Sequence, residues 1–135
     1  MKPRSMISTL RSIGRDVEVD DNVVNFTFED VPIALIFDTA ADRMRLISPI
    51  VESERIDETM LLHAMEANFH SVLDARYAIS SGLVWSVFLH PLSDLSGELL
   101  RSAVEQVAIA RLTFGNEYTS GLLFFGSANE DGEPN

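Results

Sequence analysis

The chain contains no cysteine, which excludes disulfides, thiolate metal ligands and thiol nucleophiles. Its only histidines are His63, His70 and His90, and their spacing matches no zinc motif. No apolar run approaches the ~20 residues of a membrane-spanning helix, and the N-terminus lacks the apolar core of a signal peptide. We therefore expect a cytoplasmic protein that has no metal ion, no other cofactor and no membrane partner.

Basic residues are scarce: 10 lysines and arginines face 21 aspartates and glutamates, a net charge of -11. Nucleic-acid binding requires cations that displace phosphate counterions, and anionic membrane surfaces also attract cations. The excess of acid therefore disfavours both kinds of partner. The one basic region is residues 1–15, with four basic side chains and no acidic one. An acidic protein stays soluble and can attract basic partners.

A length of 135 residues is typical of one domain. We expect that domain to cover residues 1–126 and to be followed by an acidic, glycine- and proline-containing tail at 127–135. The 46% hydrophobic content is high for a small chain of this charge. It suggests a second apolar surface beyond the core, such as a dimer interface or a groove for a client polypeptide.

Apolar residues recur at helical spacing in segments 5–14, 57–72 and 97–118. Gly14 is the expected stop of the first helix, and Asp57 is the expected N-cap of the second. The stripe of the second helix consists of Leu62, Met65, Phe69 and Val72. We expect Met65 of this stripe to lie in the core rather than on an adaptable binding surface.

Apolar residues alternate, or run together, in segments 24–28, 33–37, 44–51, 75–79 and 83–90. An acidic turn at 20–22 precedes the first strand, and Ser80-Ser81-Gly82 closes a hairpin between the last two. Because proline cannot donate a hydrogen bond to a neighbouring strand, Pro49 places the third strand at an edge of the sheet or at a bulge. The predicted order is α-β-β-β-α-β-β-α. The fold class is α+β, with helices packed on a mostly antiparallel sheet and Trp85 as a core anchor between sheet and helix.

Signatures of catalysis are missing: there is no glycine-rich phosphate loop, no His-Glu-x-x-His and no Gly-x-Ser-x-Gly. His63, Glu66 and His70 share one helical face but lack the i, i+4 imidazole pair of helical zinc sites, so a solvated polar face is favoured. The carboxylates at 52–58 suit the start of a helix, whose dipole they stabilise. We expect a protein without enzymatic activity.

Several runs resemble the type III secretion chaperones, the Tir chaperone or CesT-like family. Leu61–His70 is similar to that family's second helix, and 75–79 with 83–87 to its two late strands. His90–Leu95 resembles its Leu-Pro-Leu-x-x-Leu step into the last helix, with histidine in place of the first leucine. The resemblance covers roughly residues 5–120 and extends to the YbjN-like family, which is similar in fold.

The resemblance implies a bacterial homodimer that holds the N-terminal segment of a secretion effector in extended form around its surface. The alternative is a YbjN-like regulatory or stress-related protein of the same fold without a secretion client. The residues expected to contact the dimer partner are Trp85, Val87 and Leu95. The residues expected to contact the client are Met6, Leu10, Ile13, Phe26, Phe28, Leu35 and Phe37.

Overall fold

The computed structural model describes residues 1–115. The helices are α1 (Pro3–Ile13), α2 (Glu58–His70) and α3 (Gly97–Thr113), with a short 3-10 turn at Ser53–Arg55 before α2. The strands are β1 (Arg15–Asp20), β2 (Val23–Phe28), β3 (Val31–Asp38), β4 (Arg43–Glu52), β5 (Arg76–Ser80) and β6 (Leu83–Pro91). The predicted end of the last helix near Tyr118, and the domain boundary and tail at 126–135, lie outside the described residues.

The six strands form one antiparallel sheet in the order β1-β2-β3-β4-β6-β5. Two-residue turns whose residues have positive φ join β2 to β3 at Glu29–Asp30, and β5 to β6 at Ser81–Gly82. The backbone twist of such turns matches the twist of the two strands that they join. The hairpin predicted from Ser80-Ser81-Gly82 is therefore present. The predicted α+β class, with helices packed on an antiparallel sheet, is confirmed.

Strand β1 is the element that the sequence-based prediction missed. Four of its six residues are charged, and only Val17 and Val19 supply an alternating apolar face. Charged side chains are depleted from strands, so the segment resembles a linker rather than a strand. It lies at the edge of the sheet and pairs with β2 alone, across a bulge between Arg15 and Glu18. The acidic turn is present directly after it, at Asp21–Asn22.

The core lies between one face of the sheet and the helices α1 and α3. Alternate strand residues turn inward, among them Phe26, Leu35 and Leu46, and they pack against Met6 and Leu10 of α1. Helix α3 adds the predicted stripe of Leu100, Val104 and Val107. Because successive strand residues point to opposite faces, the remaining residues point away from both helices.

Pro49 lies at a bulge in β4, where the register shifts between Pro49 and Val51 opposite β6. Of the two positions predicted for Pro49, an edge strand or a bulge, the structure has the bulge, because β4 pairs with β3 on one side and β6 on the other. Arg111 of α3 donates a hydrogen bond from Nε to the Pro49 carbonyl oxygen at 2.8 Å. The guanidinium thus satisfies an acceptor at the bulge and fixes the end of α3 on the sheet.

Gly14 ends α1 for a packing reason. Its backbone is extended, with φ -118° and ψ 178°, so the left-handed conformation that often selects glycine is absent. A Cβ at this position would lie 3.0 Å from both Phe26 Cδ2 and the Thr27 carbonyl oxygen of β2. The missing side chain therefore lets the chain pass closely over the sheet as it leaves the helix.

Asp42 connects the β3–β4 turn to the loop that precedes α3. Its Oδ1 accepts a hydrogen bond from the Ser93 backbone N–H at 2.8 Å, and its Oδ2 accepts one from the Ser93 hydroxyl at 2.6 Å. The hydroxyl, supported by the backbone N–H, holds the pKa of the Asp42 carboxyl below its ordinary value. The link joins two loops separated by 51 residues of chain.

We expect Gly14→Ala to lower the free energy of unfolding by about 1–3 kcal/mol, the usual cost of forcing an extra carbon into a packed site. The matched control is Gly97→Ala at the start of α3, where a Cβ would meet only Thr9 Oγ1, at 3.8 Å. Urea titration of both variants measures the difference. Equal unfolding midpoints for Gly14→Ala and the parent chain would contradict the packing argument.

We expect Ser93→Ala to raise the pKa of Asp42, measurable by NMR titration of its carboxyl carbon. A carboxyl whose folded pKa is depressed stabilises the fold above its unfolded pKa of about 3.9 and loses that contribution as pH falls through the lower folded value. The stability difference between parent and Ser93→Ala should therefore be constant near neutral pH and shrink below about pH 4. Asp94→Asn, an exposed neighbour, serves as the control that leaves this dependence unchanged.

Candidate binding surfaces

The face of the sheet that points away from α1 and α3 has no helix packed on it in residues 1–115. Its side chains are half-buried or exposed, whereas their neighbours along each strand are buried. The register places Ala34 beside Ile47, and Ile47 beside Val87, so an apolar band crosses β3, β4 and β6. An antiparallel sheet with one solvated face normally presents polar residues there. This open face is instead apolar along its middle.

A shallow groove of about 400 Å³ crosses the open face from β1 to β4. We call it the sheet groove. It is lined by Asp16, Glu18, Asn25, Phe26, Thr27, Pro32, Ile33, Ala34, Ile47 and Pro49. Neither the acidic residues of β1 nor Ile47 were among the residues expected to contact a client. The alternation of valine with acid over residues 16–20 is the local signal that could have placed Asp16 and Glu18 on a strand.

The two edges of the sheet differ in access. At the β5 edge, the Asn68 side chain of α2 accepts a hydrogen bond from the Tyr77 backbone N–H at 2.7 Å and donates one to the Tyr77 carbonyl oxygen at 3.2 Å. The amide thus replaces a neighbouring strand at this point. Among the described residues no strand pairs with the outer side of β1. The β1 edge is therefore the free one.

Helix α2 turns its apolar stripe outward. Leu62, Met65 and Phe69 are 58%, 63% and 84% exposed. The expectation that Met65 lies in the core is wrong, whereas Val72 of the same stripe is buried. The helix packs instead through Ala64 and Ala67, whose small side chains allow it to approach β5 closely. We call the exposed set of Leu61, Leu62, Met65 and Phe69 the α2 face.

An apolar pocket of about 170 Å³ adjoins the α2 face where α2 meets the β5–β6 hairpin. It is lined by Ile56, Leu61, Ala64, Met65, Asn68, Tyr77, Ala78, Ile79 and Val84. Leu61, Met65 and Ile79 belong to the lining and are also exposed outside the pocket. Together the pocket and the α2 face form a continuous apolar surface, which is a common property of protein–protein interfaces.

The residues expected to contact a client fall into two groups. Met6, Leu10, Phe26 and Leu35 are at most 3% exposed and belong to the core, so a partner cannot reach their side chains while this packing is kept. Ile13, Phe28 and Phe37 are half-buried at the margin of the same core. The difference arises because periodicity identifies residues that share a face but not whether that face is covered.

The residues expected at a dimer interface are also divided. Trp85 and Val87 are half-buried on the open face, since Ser86 between them donates its hydroxyl to the Val107 carbonyl oxygen of α3 at 2.9 Å. Trp85 is therefore not the predicted anchor between sheet and helix, and its Nε1 donates to the Ser80 carbonyl oxygen at 2.9 Å. Leu95 is buried in the core.

Helix α2 carries two histidines and two glutamates. Within residues 1–115 no three histidine, aspartate or glutamate side chains lie where they could share a metal ion. The His70 ring packs edge-on against Phe69, with centroids 4.6 Å apart. Asp57 is the N-cap of α2, as predicted, because its carboxylate accepts a hydrogen bond from the Met60 backbone N–H at 2.8 Å.

Within residues 1–115, no helix is long and apolar enough to span a membrane.

No family model and no curated protein matches the sequence, but solved structures match the fold. A chain of the HopA1–SchA chaperone–effector complex matches with a TM-score of 0.65 and 18% identity, over 82% of this chain and 91% of its own. The Yersinia pestis type III secretion chaperone SycH, solved with a stable fragment of YscM2, matches at 0.61 and 15% identity, over 82% and 98%. An uncharacterized protein from Methanothermobacter thermautotrophicus matches at 0.62 and 14% identity, over 82% and 92%.

These structures share the antiparallel sheet and helices described above across nearly their whole length. The chain therefore has the type III secretion chaperone-like fold, and the resemblance found in the sequence is confirmed at the level of fold. At 14–18% identity the likeness shows the fold alone.

Proposed function

We propose that the protein is a non-enzymatic polypeptide-binding module that acts as a secretion-type chaperone. It holds the N-terminal segment of a client polypeptide in extended form on its surface and works as a homodimer in the cytoplasm. The observation that carries this proposal is the open face of the sheet, which is apolar along its middle, grooved, and bounded by a free edge strand. The occurrence of this fold in a chaperone–effector complex supports it.

Such a surface suits an extended chain better than a folded partner. Backbone groups along a free strand edge bind another backbone with little dependence on sequence, and shallow pockets beside the strand accept alternate side chains. The β1 edge supplies the first element, and the sheet groove supplies the second. The open face holds no set of groups arranged for acid–base or nucleophilic chemistry within the described residues, so binding is the activity that the geometry supports best.

The homodimer is assigned to the α2 face. A two-fold interface brings the same patch of both copies together, so an apolar helix face can pack against its own copy. The α2 face has the residue types for this role, with phenylalanine, methionine and two leucines exposed beside an apolar pocket. Dimerisation there leaves the open face and β1 accessible to the client. Trp85 and Val87, the residues first expected at the interface, then remain on the client side.

The alternative is a YbjN-like regulatory or stress-related role without a secretion client. The fold also occurs in a protein of unassigned function, so the fold alone does not separate the two roles. The nature of the captured partner separates them. Capture of a client through an extended terminal segment supports the chaperone role, and capture of no such segment supports the alternative.

We expect the purified chain, used to capture partners from its native host, to protect one N-terminal segment of a client against limited proteolysis. Ala34→Gln, which places a bulkier neutral side chain in the sheet groove, should weaken this capture by about tenfold or more. Thr39→Gln in the exposed β3–β4 turn is the matched control that leaves capture intact. Protection of a folded domain, or equal capture by both variants, would contradict the chaperone proposal.

We expect light scattering to give twice the 15.0 kDa chain mass for the parent protein. Phe69→Asp should reduce it to the mass of one chain, because each copy would bury a carboxylate in an apolar interface. Val87→Asp on the open face is the matched control and should leave the dimer intact. A monomeric Val87→Asp together with a dimeric Phe69→Asp would move the interface to the sheet.

A further inference from the structure

The two ends of the sheet groove differ in chemistry. At the β1 end, Asp16 and Glu18 supply carboxylates. At the β4 end, the lining consists of Ile47 and Pro49. The floor between them, from β2 and β3, is uncharged and includes Asn25 and Ala34. A ligand that fills the groove therefore meets negative charge at one end and apolar surface at the other.

The charge at the β1 end is largely uncompensated. Asp16 lies 3.4 Å from Arg15, but that guanidinium is closer to Asp30, at 2.5 Å. Such exposed pairs are weak and leave the carboxylates open to a better-placed cation. Glu18 makes no ion pair among residues 1–115. The lining at the β4 end carries no charged side chain, so the charge of the groove is confined to its β1 end.

The width of the sheet sets the spacing of the ligand groups. Neighbouring strands lie about 4.8 Å apart, so the three steps from β1 to β4 span roughly 14 Å. An extended chain advances about 3.3 Å per residue and covers that distance in about four residues. The part of a client that lies across the strands, as distinct from a part that pairs along the β1 edge, can therefore place one side chain beside Glu18 and another beside Ile47 when the two are about four positions apart.

We propose that the sheet groove selects client segments in which a lysine or arginine and a large apolar residue lie about four positions apart. The basic side chain binds at Asp16 and Glu18, and the apolar one packs on Ile47 and Pro49. This specificity rests on the proposed function and defines the chemistry of the segment bound. Opposite charges give orientation and selectivity, while the apolar contact supplies more of the affinity.

Charge also argues against two other occupants. Residues 116–135 contain four acidic side chains and no lysine or arginine, so the acidic end of the groove repels this segment. The β1 strand of a second copy carries Asp16, Glu18 and Asp20, and like charges facing each other across paired strands are destabilising. A basic segment from a different polypeptide is the occupant that the electrostatics favour.

The test uses fluorescein-labelled 15-residue peptides with serine and threonine fillers, and fluorescence anisotropy with the full-length protein. One peptide carries lysine and leucine four positions apart. The others replace the lysine with glutamine, replace the leucine with serine, or shorten the spacing to two. We expect the first to bind about fivefold more tightly than the glutamine peptide at low salt, with most of that advantage lost in 0.5 M salt.

The protein variants complete the test. Asp16→Asn with Glu18→Gln should remove the preference for lysine, and asparagine at position 16 tolerates the positive φ of 55° found there. The control pair Glu54→Gln with Glu105→Gln removes the same charge from exposed sites elsewhere and should keep the preference. Binding that ignores the lysine, the spacing or the groove carboxylates overturns this inference.

The same measurements separate this inference from the proposed function. Client capture that depends on Ala34, combined with peptide binding indifferent to charge, overturns the specificity and leaves the chaperone proposal standing. No binding of any peptide at millimolar concentration, combined with no captured client segment, overturns both. A tighter self-association of the Asp16→Asn, Glu18→Gln protein without any lysine preference in the parent assigns the carboxylates to edge protection instead.

Discussion

The structure depends on the packing of a six-stranded sheet against helices on one side only. Helix α3 buries Leu100, Val104 and Val107 on the centre of the sheet, and α1 covers the end formed by β1 and β2. Side-chain hydrogen bonds of Ser86, Tyr77 and Arg111 each join α3 to a strand. Because hydrogen bonds are directional, they fix the position of α3 on the sheet. The core needs only one face of each strand. The second face is consequently available for a partner.

This division of the strands explains why binding and stability can be separated. A residue on the inner face affects the fold when it changes, as the burial of Leu35 and Leu46 indicates. Its neighbours Ala34 and Ile47 point the other way and contact no helix. Substitutions at exposed positions of the open face should therefore cost little stability, since exposed positions usually contribute under about 0.5 kcal/mol.

Much of the fold could be predicted from the sequence, because helical and alternating periods are local properties. Five strands and three helices were located, together with the Asp57 cap and the Ser-Ser-Gly turn. The site could not be predicted in the same way. A period tells which residues share a face, but only tertiary packing decides whether that face is covered, as Phe69 and Trp85 demonstrate. The sheet groove has no local signature at all, since its lining comes from four strands brought together by the fold.

The hydrogen bonds between Asn68 and Tyr77 affect how many edges of the sheet can pair with another chain. A sheet that is open at both edges can join to others end to end without limit, which is the geometry of fibres. Here an amide from the protein's own helix caps the β5 edge at Tyr77, and the opposite edge strand, β1, carries like charges. Both features disfavour end-to-end pairing of sheets between copies of the chain, so an edge strand can stay open to a different partner while growth through the sheet edges is opposed.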